Sequence, residues 1–272
     1  MADAQLDDLL AACEAAVRGG GAVLAERWAG PRTVALKGAI DLVTDADRAS
    51  EAAVLAILRA RFPRAAILAE ESGASGGGGA PLRFLVDPLD GTTNYAHRLP
   101  HYAVTVAALD AGGVAAGATF DPVRGERFLA ARGRGATCNG VALAHSGRAG
   151  VEESLLVTGF PYDVQTRAAE PLRLFEAMVT RARGVRRLGA AALDLAWVAA
   201  GRFDGYWEAR LKPWDLAAGI LIAREAGAVV TDLEGGDRML ESGDVLAAAP
   251  ALHPRLAGIV AAARGGPPAA GR

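Results

Sequence analysis

The sequence is poor in the features that would identify most specialised proteins. Cys13 and Cys138 are the only cysteines in 272 residues, and they offer neither a disulfide framework nor a zinc cluster. Net charge is only −2, which argues against bulk attraction to nucleic acid or to an anionic membrane. No apolar run reaches the ~20 residues needed to span a bilayer. The N-terminus, MADAQLDDLLAACEAA, is acidic and amphipathic rather than basic and apolar, so it does not read as a secretory signal. The four histidines, His97, His101, His145 and His253, are scattered and form no motif. No internal repeat is visible. These absences predict a cytoplasmic protein with no membrane partner and no direct nucleic-acid partner.

What remains is apolar bulk and well-placed acids. Hydrophobic residues make up 51% of the chain, and helix-like and strand-like stretches alternate, so an α/β or α+β class is expected. Spacings of three and four from Leu6 to Trp28 predict a helix over 4–28, weakened in its middle by Gly19 to Gly21. Thr44 and Asp47 form a capping-box-like start to a second helix, which Pro63 ends. Short strands are expected at 65–69 and 83–86, separated by a glycine-rich loop, Gly73 to Gly79, that reads as flexible. Strand-like segments near 102–109, 113–120 and 126–131 suggest antiparallel sheet. Beyond them the pattern alternates: helices near 166–183, 190–200, 213–225 and 251–263, with strands near 154–158, 203–208, 228–232 and 245–249. This shift predicts an N-terminal α+β part over 1–145, a C-terminal α/β part over 146–264 and a disordered tail from 265.

The most informative stretch is Asp87-Pro-Leu-Asp-Gly-Thr-Thr-Asn94, which follows an apolar strand. Ligands gather at such strand ends. Gly91 allows close backbone approach, and a short helix over 91–97 would leave N–H groups of Gly91 and Thr92 to face an anion. Carboxylates beside an anion site repel phosphate unless cations intervene, and hard cations such as Mg²⁺ take oxygen ligands. Taken alone, Asp87 and Asp90 are also ordinary turn residues, Glu70-Glu71 a solvated loop, Asp47 a helix cap, Asp41 a turn residue, and Asp215 a charge complementing a helix dipole.

Together these segments resemble the inositol monophosphatase family. The resemblance rests on Asp41-Leu-Val-Thr-Asp-Ala-Asp47, Ala69-Glu-Glu-Ser72, Asp87 to Asn94, and Trp207-Glu208 followed by Lys212-Pro-Trp-Asp215, in family order and over roughly residues 5–262. It implies a layered α/β/α/β/α sugar-phosphatase fold, a homodimer, lithium sensitivity and two to three Mg²⁺ ions. Glu70 and Asp87, with the Leu89 carbonyl, would hold the first ion; Asp87, Asp90 and Asp215 the second; Glu70 would help hold a third. Glu70, Thr92 and Asp47 would be catalytic, with Thr92 positioning the attacking water and Asp47 accepting a hydrogen bond from its hydroxyl. Gly91 and Thr92 would offer N–H groups to phosphate. Asp90, Ala191 and Glu208 would touch the alcohol part of the substrate, and Asp215 would lie on the substrate side.

The implied activity is Mg²⁺-dependent hydrolysis of myo-inositol monophosphate by water, without a phosphoenzyme. Histidinol phosphate is the rival substrate, since Glu208 also suits a cationic amino alcohol. Fructose 1,6-bisphosphate and 3′-phosphoadenosine 5′-phosphate are weaker rivals, because the pocket segment shows no basic cluster for a second phosphate. A transcription-complex-associated binding protein is the alternative outside enzymes. Ala190 stands where relatives often carry Ser or Thr, which bears on substrate choice. Lys37 reads as a loop or surface lysine, Arg186-Arg187 as a phosphate attractor, solvated pair or dimer contact, and Trp207 and Trp214 as packing or pocket lining. Asp194 sits in a helix whose apolar side faces the core.

Overall fold

A computed structural model describes residues 3–31, 33–36, 42–76 and 80–265. Lys37, Asp41 and the tail beyond Gly265 lie outside the described residues. The first helix, α1 (Asp3–Arg27), buries Leu6, Leu9, Cys13, Val17 and Leu24 along one side, as their spacing predicts. It runs unbroken through its glycines, because Gly20 lies where a Cβ would meet Ser50 and Val54 of the next helix. A small antiparallel ribbon, β1 (Val34–Leu36) and β2 (Leu42–Thr44), leads into α2 (Asp45–Arg61). Thr44 caps α2: its Oγ1 accepts from the Ala46 N–H at 3.1 Å. Asp47 completes the box by accepting from the Thr44 N–H at 2.8 Å.

The larger sheet comprises β3 (Ala66–Ala69), β4 (Gly73–Ser75), β5 (Arg83–Asp90), β6 (Ala103–Asp110), β7 (Gly113–Asp121), β8 (Glu126–Ala131), β9 (Ala136–Cys138) and β10 (Val141–Ala142). Its order is β10-β9-β8-β7-β6-β5-β3-β4, antiparallel except for the parallel pair β3 and β5. The short helix α3 (Thr92–Ala96) follows β5. The smaller sheet contains β11 (Leu155–Thr158), β12 (Gly184–Arg187), β13 (Gly205–Glu208), β14 (Val229–Thr231) and β15 (Val245–Ala248). Here β11 runs parallel to both β12 and β13, and the remaining pairs are antiparallel. Helices α4 (Ala169–Val179), α5 (Ala191–Ala199), α6 (Pro213–Glu225), α7 (Met239–Ser242) and α8 (His253–Gly265) complete the chain.

Two expectations need correction. The stretch from Gly73 is not wholly a flexible loop, because Gly73–Ser75 forms β4, an edge strand on β3. Backbone hydrogen bonds to a preformed neighbour outweigh the low strand preference of glycine. The helix expected over 166–183 is shorter, since α4 ends at Val179 and the chain re-enters the sheet as β12.

The elements stack as five layers. Helices α1 and α2 cover one face of the large sheet; α5 and α6 fill the space between the sheets; α4 and α8 cover the outer face of the small sheet. This is the α/β/α/β/α arrangement. Its central layer is nearly apolar all round, with Leu193, Leu195, Leu216 and Ile222 fully buried. A helix sandwiched between two sheets has no solvent face, which is why α5 and α6 lack an amphipathic pattern. Each such side chain contributes about 1.5–3 kcal/mol on burial. The result is a close-packed apolar joint between the sheets, and the site lies beside it.

Candidate active site

Glu70 and Asp87 meet because β3 and β5 are parallel neighbours. Ala69 pairs with Val86, so the two strands end side by side, and the Glu70 N–H donates to the Val86 carbonyl at 3.1 Å. Asp87 and Asp90 meet for another reason. Three residues apart, they would point to opposite faces of a regular strand. A bulge intervenes: Asp87 pairs with Thr105 but Asp90 pairs with Ala103, leaving one extra residue on β5. The extra residue restores the facing. Pro88 fits this break because it has no N–H to offer the ladder. The Leu89 N–H turns back to Asp87 Oδ1 at 2.9 Å, and Ser50 Oγ donates to the Pro88 carbonyl at 2.7 Å.

Gly91 then takes φ +91°, a conformation that side chains disfavour. A Cβ there would also lie 3.0 Å from the His101 carbonyl and 3.3 Å from the Gly189 carbonyl. The turn delivers Thr92, whose Oγ1 lies 3.0 Å from both Asp47 Oδ1 and the Leu89 carbonyl. Asp47 therefore caps α2 and also accepts from Thr92; the two roles coexist.

The opposite wall comes from the central helices and the small sheet. Helix α5 starts at Ala190 with no capping side chain of its own. Asp90 supplies the cap from across the sheets, accepting from the Ala191 N–H at 3.1 Å and the Ala192 N–H at 2.8 Å. Asp215, in the first turn of α6, accepts from the Lys212 N–H at 2.8 Å. Glu208, at the end of β13, is 7% exposed and accepts from the Tyr206 hydroxyl at 2.7 Å.

Glu70, Asp87, Leu89, Asp90, Gly91, Thr92, Ala191, Glu208 and Asp215 all line one cleft with a cavity volume of about 240 Å³. Asp47 lies behind it, touching Thr92. Burial pushes the Asp87 carboxyl well above the usual range, and the negative charges of Glu70, Asp90 and Asp215 push it further. Asp215 is raised in the same way by burial and then by Asp90, Glu70 and Glu208. Burial lifts Asp90 to about 7, with the Ala192 N–H opposing. Burial lifts Glu208 to about 7, opposed chiefly by the Tyr206 hydroxyl. Burial also raises Asp47, against the hydrogen bonds from Thr44 and Thr92.

Among the described residues, no group of three or more His, Cys, Asp or Glu side chains forms a ready-made metal cage. The acids share a cleft but stand in mutual repulsion. Their donor atoms are all carboxylate or carbonyl oxygens, the set that hard divalent cations favour, and positive charge among them would relieve that repulsion. The residues therefore fit such ions.

The sequence pattern of the inositol monophosphatase family matches residues 5–264. The chain belongs to the inositol monophosphatase family. It is 43% identical over 254 residues to a chloroplastic phosphatase, IMPL1, of Arabidopsis thaliana, covering 91% of this chain and 68% of that one. It is 47% identical over 215 residues to the Nus factor SuhB of Pseudomonas aeruginosa, covering 78% and 79% of the two chains. The solved inositol monophosphatase of Anabaena superposes with a TM-score of 0.88 at 39% identity, covering 97% of this chain and 98% of that one. No helix among the described residues is long and apolar enough to cross a membrane.

Sequence reasoning underestimated several residues in and around this cleft. Arg187, Phe160 and Tyr162 also line the cleft. Trp214 lines it, whereas Trp207 packs into the core behind the small sheet. Asp194 is 1% exposed and neither carboxylate oxygen has a hydrogen-bond partner; burial raises its pKa well above the usual range. His101 is largely buried, with Nε2 3.9 Å from Asp194 Oδ1 and without a hydrogen-bond partner. One signal was available: a helix starting at Ala190 with no capping residue needs an acceptor from elsewhere.

Proposed function

We propose that this chain is a Mg²⁺-dependent phosphomonoesterase that hydrolyses myo-inositol monophosphate to inositol and phosphate. One observation carries the reading: Glu70, the Asp87/Asp90 pair and Asp215, from three separate parts of the chain, line one small cleft, and the charges of Glu70 and Asp90 raise the proton affinity of both Asp87 and Asp215. Such an arrangement is costly unless cations share the site. Glu70, Asp87, Asp90 and Asp215, with the Leu89 carbonyl, would hold two to three Mg²⁺ ions. When bound, Mg²⁺ supplies acidified water and offsets charge on the phosphoryl group and the leaving alkoxide.

The protein's own groups do the positioning. Asp47 is a proton acceptor for Thr92 Oγ1, which leaves the Thr92 oxygen free to accept from, and so orient, the attacking water. Gly91 and Thr92 offer backbone N–H groups to phosphate. Asp90, clamped by Ala191 and Ala192, Ala191 itself and Glu208 orient the alcohol, with Asp215 beside them. Phosphoryl transfer needs little more than positioning and charge stabilisation. Lithium would inhibit by competing for a metal position, and the working form would be a homodimer.

The test is a phosphate-release panel with and without Mg²⁺, comparing kcat/KM for inositol 1-phosphate and histidinol phosphate. Release that requires Mg²⁺ and favours the inositol ester supports the reading. A marked preference for histidinol phosphate replaces the substrate, and release indifferent to Mg²⁺ removes the mechanism.

The Nus factor name borne by the Pseudomonas relative favours one second reading, a role in a transcription complex. A strain carrying Asp90→Asn separates the two. If turnover is lost while the phenotype of a deletion strain is still rescued, binding is the role that matters.

A further inference from the structure

Strand β13 alternates its side chains, so Tyr206 and Glu208 share one face while Trp207 points into the opposite core. Tyr206 is fully buried among the central helices, and its hydroxyl donates to Glu208 Oε2 at 2.7 Å. On another side of the same carboxylate lies Gly159, where an added Cβ would collide with both oxygens and with the carboxyl carbon. The backbone beneath is pinned as well: Thr158 Oγ1 donates to the Trp207 carbonyl at 2.7 Å. Glu208 is thus held from two directions on a rigid strand at the edge of the cleft. One oxygen is engaged by the tyrosine, and Oε1 is left for a ligand.

We propose that Tyr206 is a positioning residue for substrate selection, fixing Glu208 as a directional acceptor for a hydroxyl-bearing alcohol group. This rests on the reading of the cleft as a phosphomonoesterase site. A free glutamate side chain samples several rotamers and must give up that freedom when it binds. Tyr206 and Gly159 remove the freedom in advance, so the hydroxyl finds an acceptor already oriented. The tyrosine O–H also favours the ionised carboxylate over the neutral acid, because only the former accepts the bond at full strength. Both effects act on the alcohol portion of a substrate. Neither acts on the phosphoryl group, which the acids at the other wall serve.

The experiment compares two esters on the same enzyme preparations. Inositol 1-phosphate carries ring hydroxyls; phenyl phosphate carries none. Tyr206→Phe removes one buried hydroxyl and keeps the ring. For inositol 1-phosphate it should raise KM by about tenfold, the scale of one hydrogen bond to a charged group, with kcat nearly unchanged. The acid limb of kcat/KM for that ester should move to higher pH. For phenyl phosphate both KM and the pH profile should stay as in the parent enzyme, which also reports that the variant is folded. In a Glu208→Gln background, Tyr206→Phe should add little, because its partner is no longer a carboxylate. Equal losses on both esters, no loss on either, or fully additive effects in the double variant would each overturn the proposal. A parent enzyme inert toward both esters with Mg²⁺ present would remove the phosphatase reading and this inference with it.

Discussion

On one wall of the cleft, Glu70, Asp87 and Asp90 hang from the ends of two neighbouring parallel strands, and one bulge turns Asp90 to the side of Asp87. On the other, Ala191, Glu208 and Asp215 come from a helix start, a strand end and a second helix start, brought together only by the packing of α5 and α6 between two sheets. The first wall concentrates negative charge. The second supplies backbone N–H groups, one clamped carboxylate and Asp215. The difference teaches that a local motif can place charge, but orienting a particular alcohol requires long-range packing. If so, damage to the two walls should look different.

The largest expected effect is at the first wall. Asp87→Asn should cut phosphate release by about a thousandfold or more, the scale of losing a group that organises transition-state charge. It should also raise the melting temperature of the metal-free protein, because a buried acid facing Glu70, Asp90 and Asp215 is replaced by a neutral amide. Initial rates and melting curves on one preparation check both; a fall in both would mean that Asp87 is structural. Next comes Glu208→Gln on the second wall. Its loss should appear as a KM for inositol 1-phosphate raised about tenfold. A collapse of kcat instead would erase the contrast between the walls.

A smaller effect tests the joint itself. Gly117 on β7 lies where a Cβ would sit 2.9 Å from Ala218 Cα on α6. Gly117→Val should therefore push α6 outward and cost about 1–3 kcal/mol of stability. Because α6 carries Asp215, activity should fall with it even though position 117 is not in the cleft; unchanged stability by urea titration would show that the joint yields freely.

The smallest effect is on pH dependence. Asp90 and Glu208 bind protons more tightly when folded, each reaching about 7. The folded metal-free protein thus holds more protons than the unfolded chain between the ordinary carboxylate range and neutrality. The cleft's contribution to stability must fall as pH rises through that window. Mg²⁺ should flatten the slope. A slope in Asp90→Asn as steep as that of the parent, or steeper, would contradict this account.

The capping box at Thr44, the α1 spacing and the apolar strand leading into Asp87 were legible because each is set by neighbours within a few residues, although the strand runs on through the bulge to Asp90. Asp194, Tyr206 and Gly159 were not, for in sequence they are an acid in an apolar helix, a strand aromatic and a glycine. Their meaning comes from partners far along the chain. Asp90 lies between these extremes: its motif announced an acid at a turn, but not that it would cap α5.

By itself, the sequence determined most of the secondary elements, the acidic residue types that line the cleft and the family pattern, since these depend on residue type and short spacing. Only the tertiary structure decided which acids face one another, how far burial raises their proton affinity, and which residue holds Glu208 in place. Proton affinity and orientation depend on what surrounds a group in space, and a linear order of residues does not contain that information until the layers have packed.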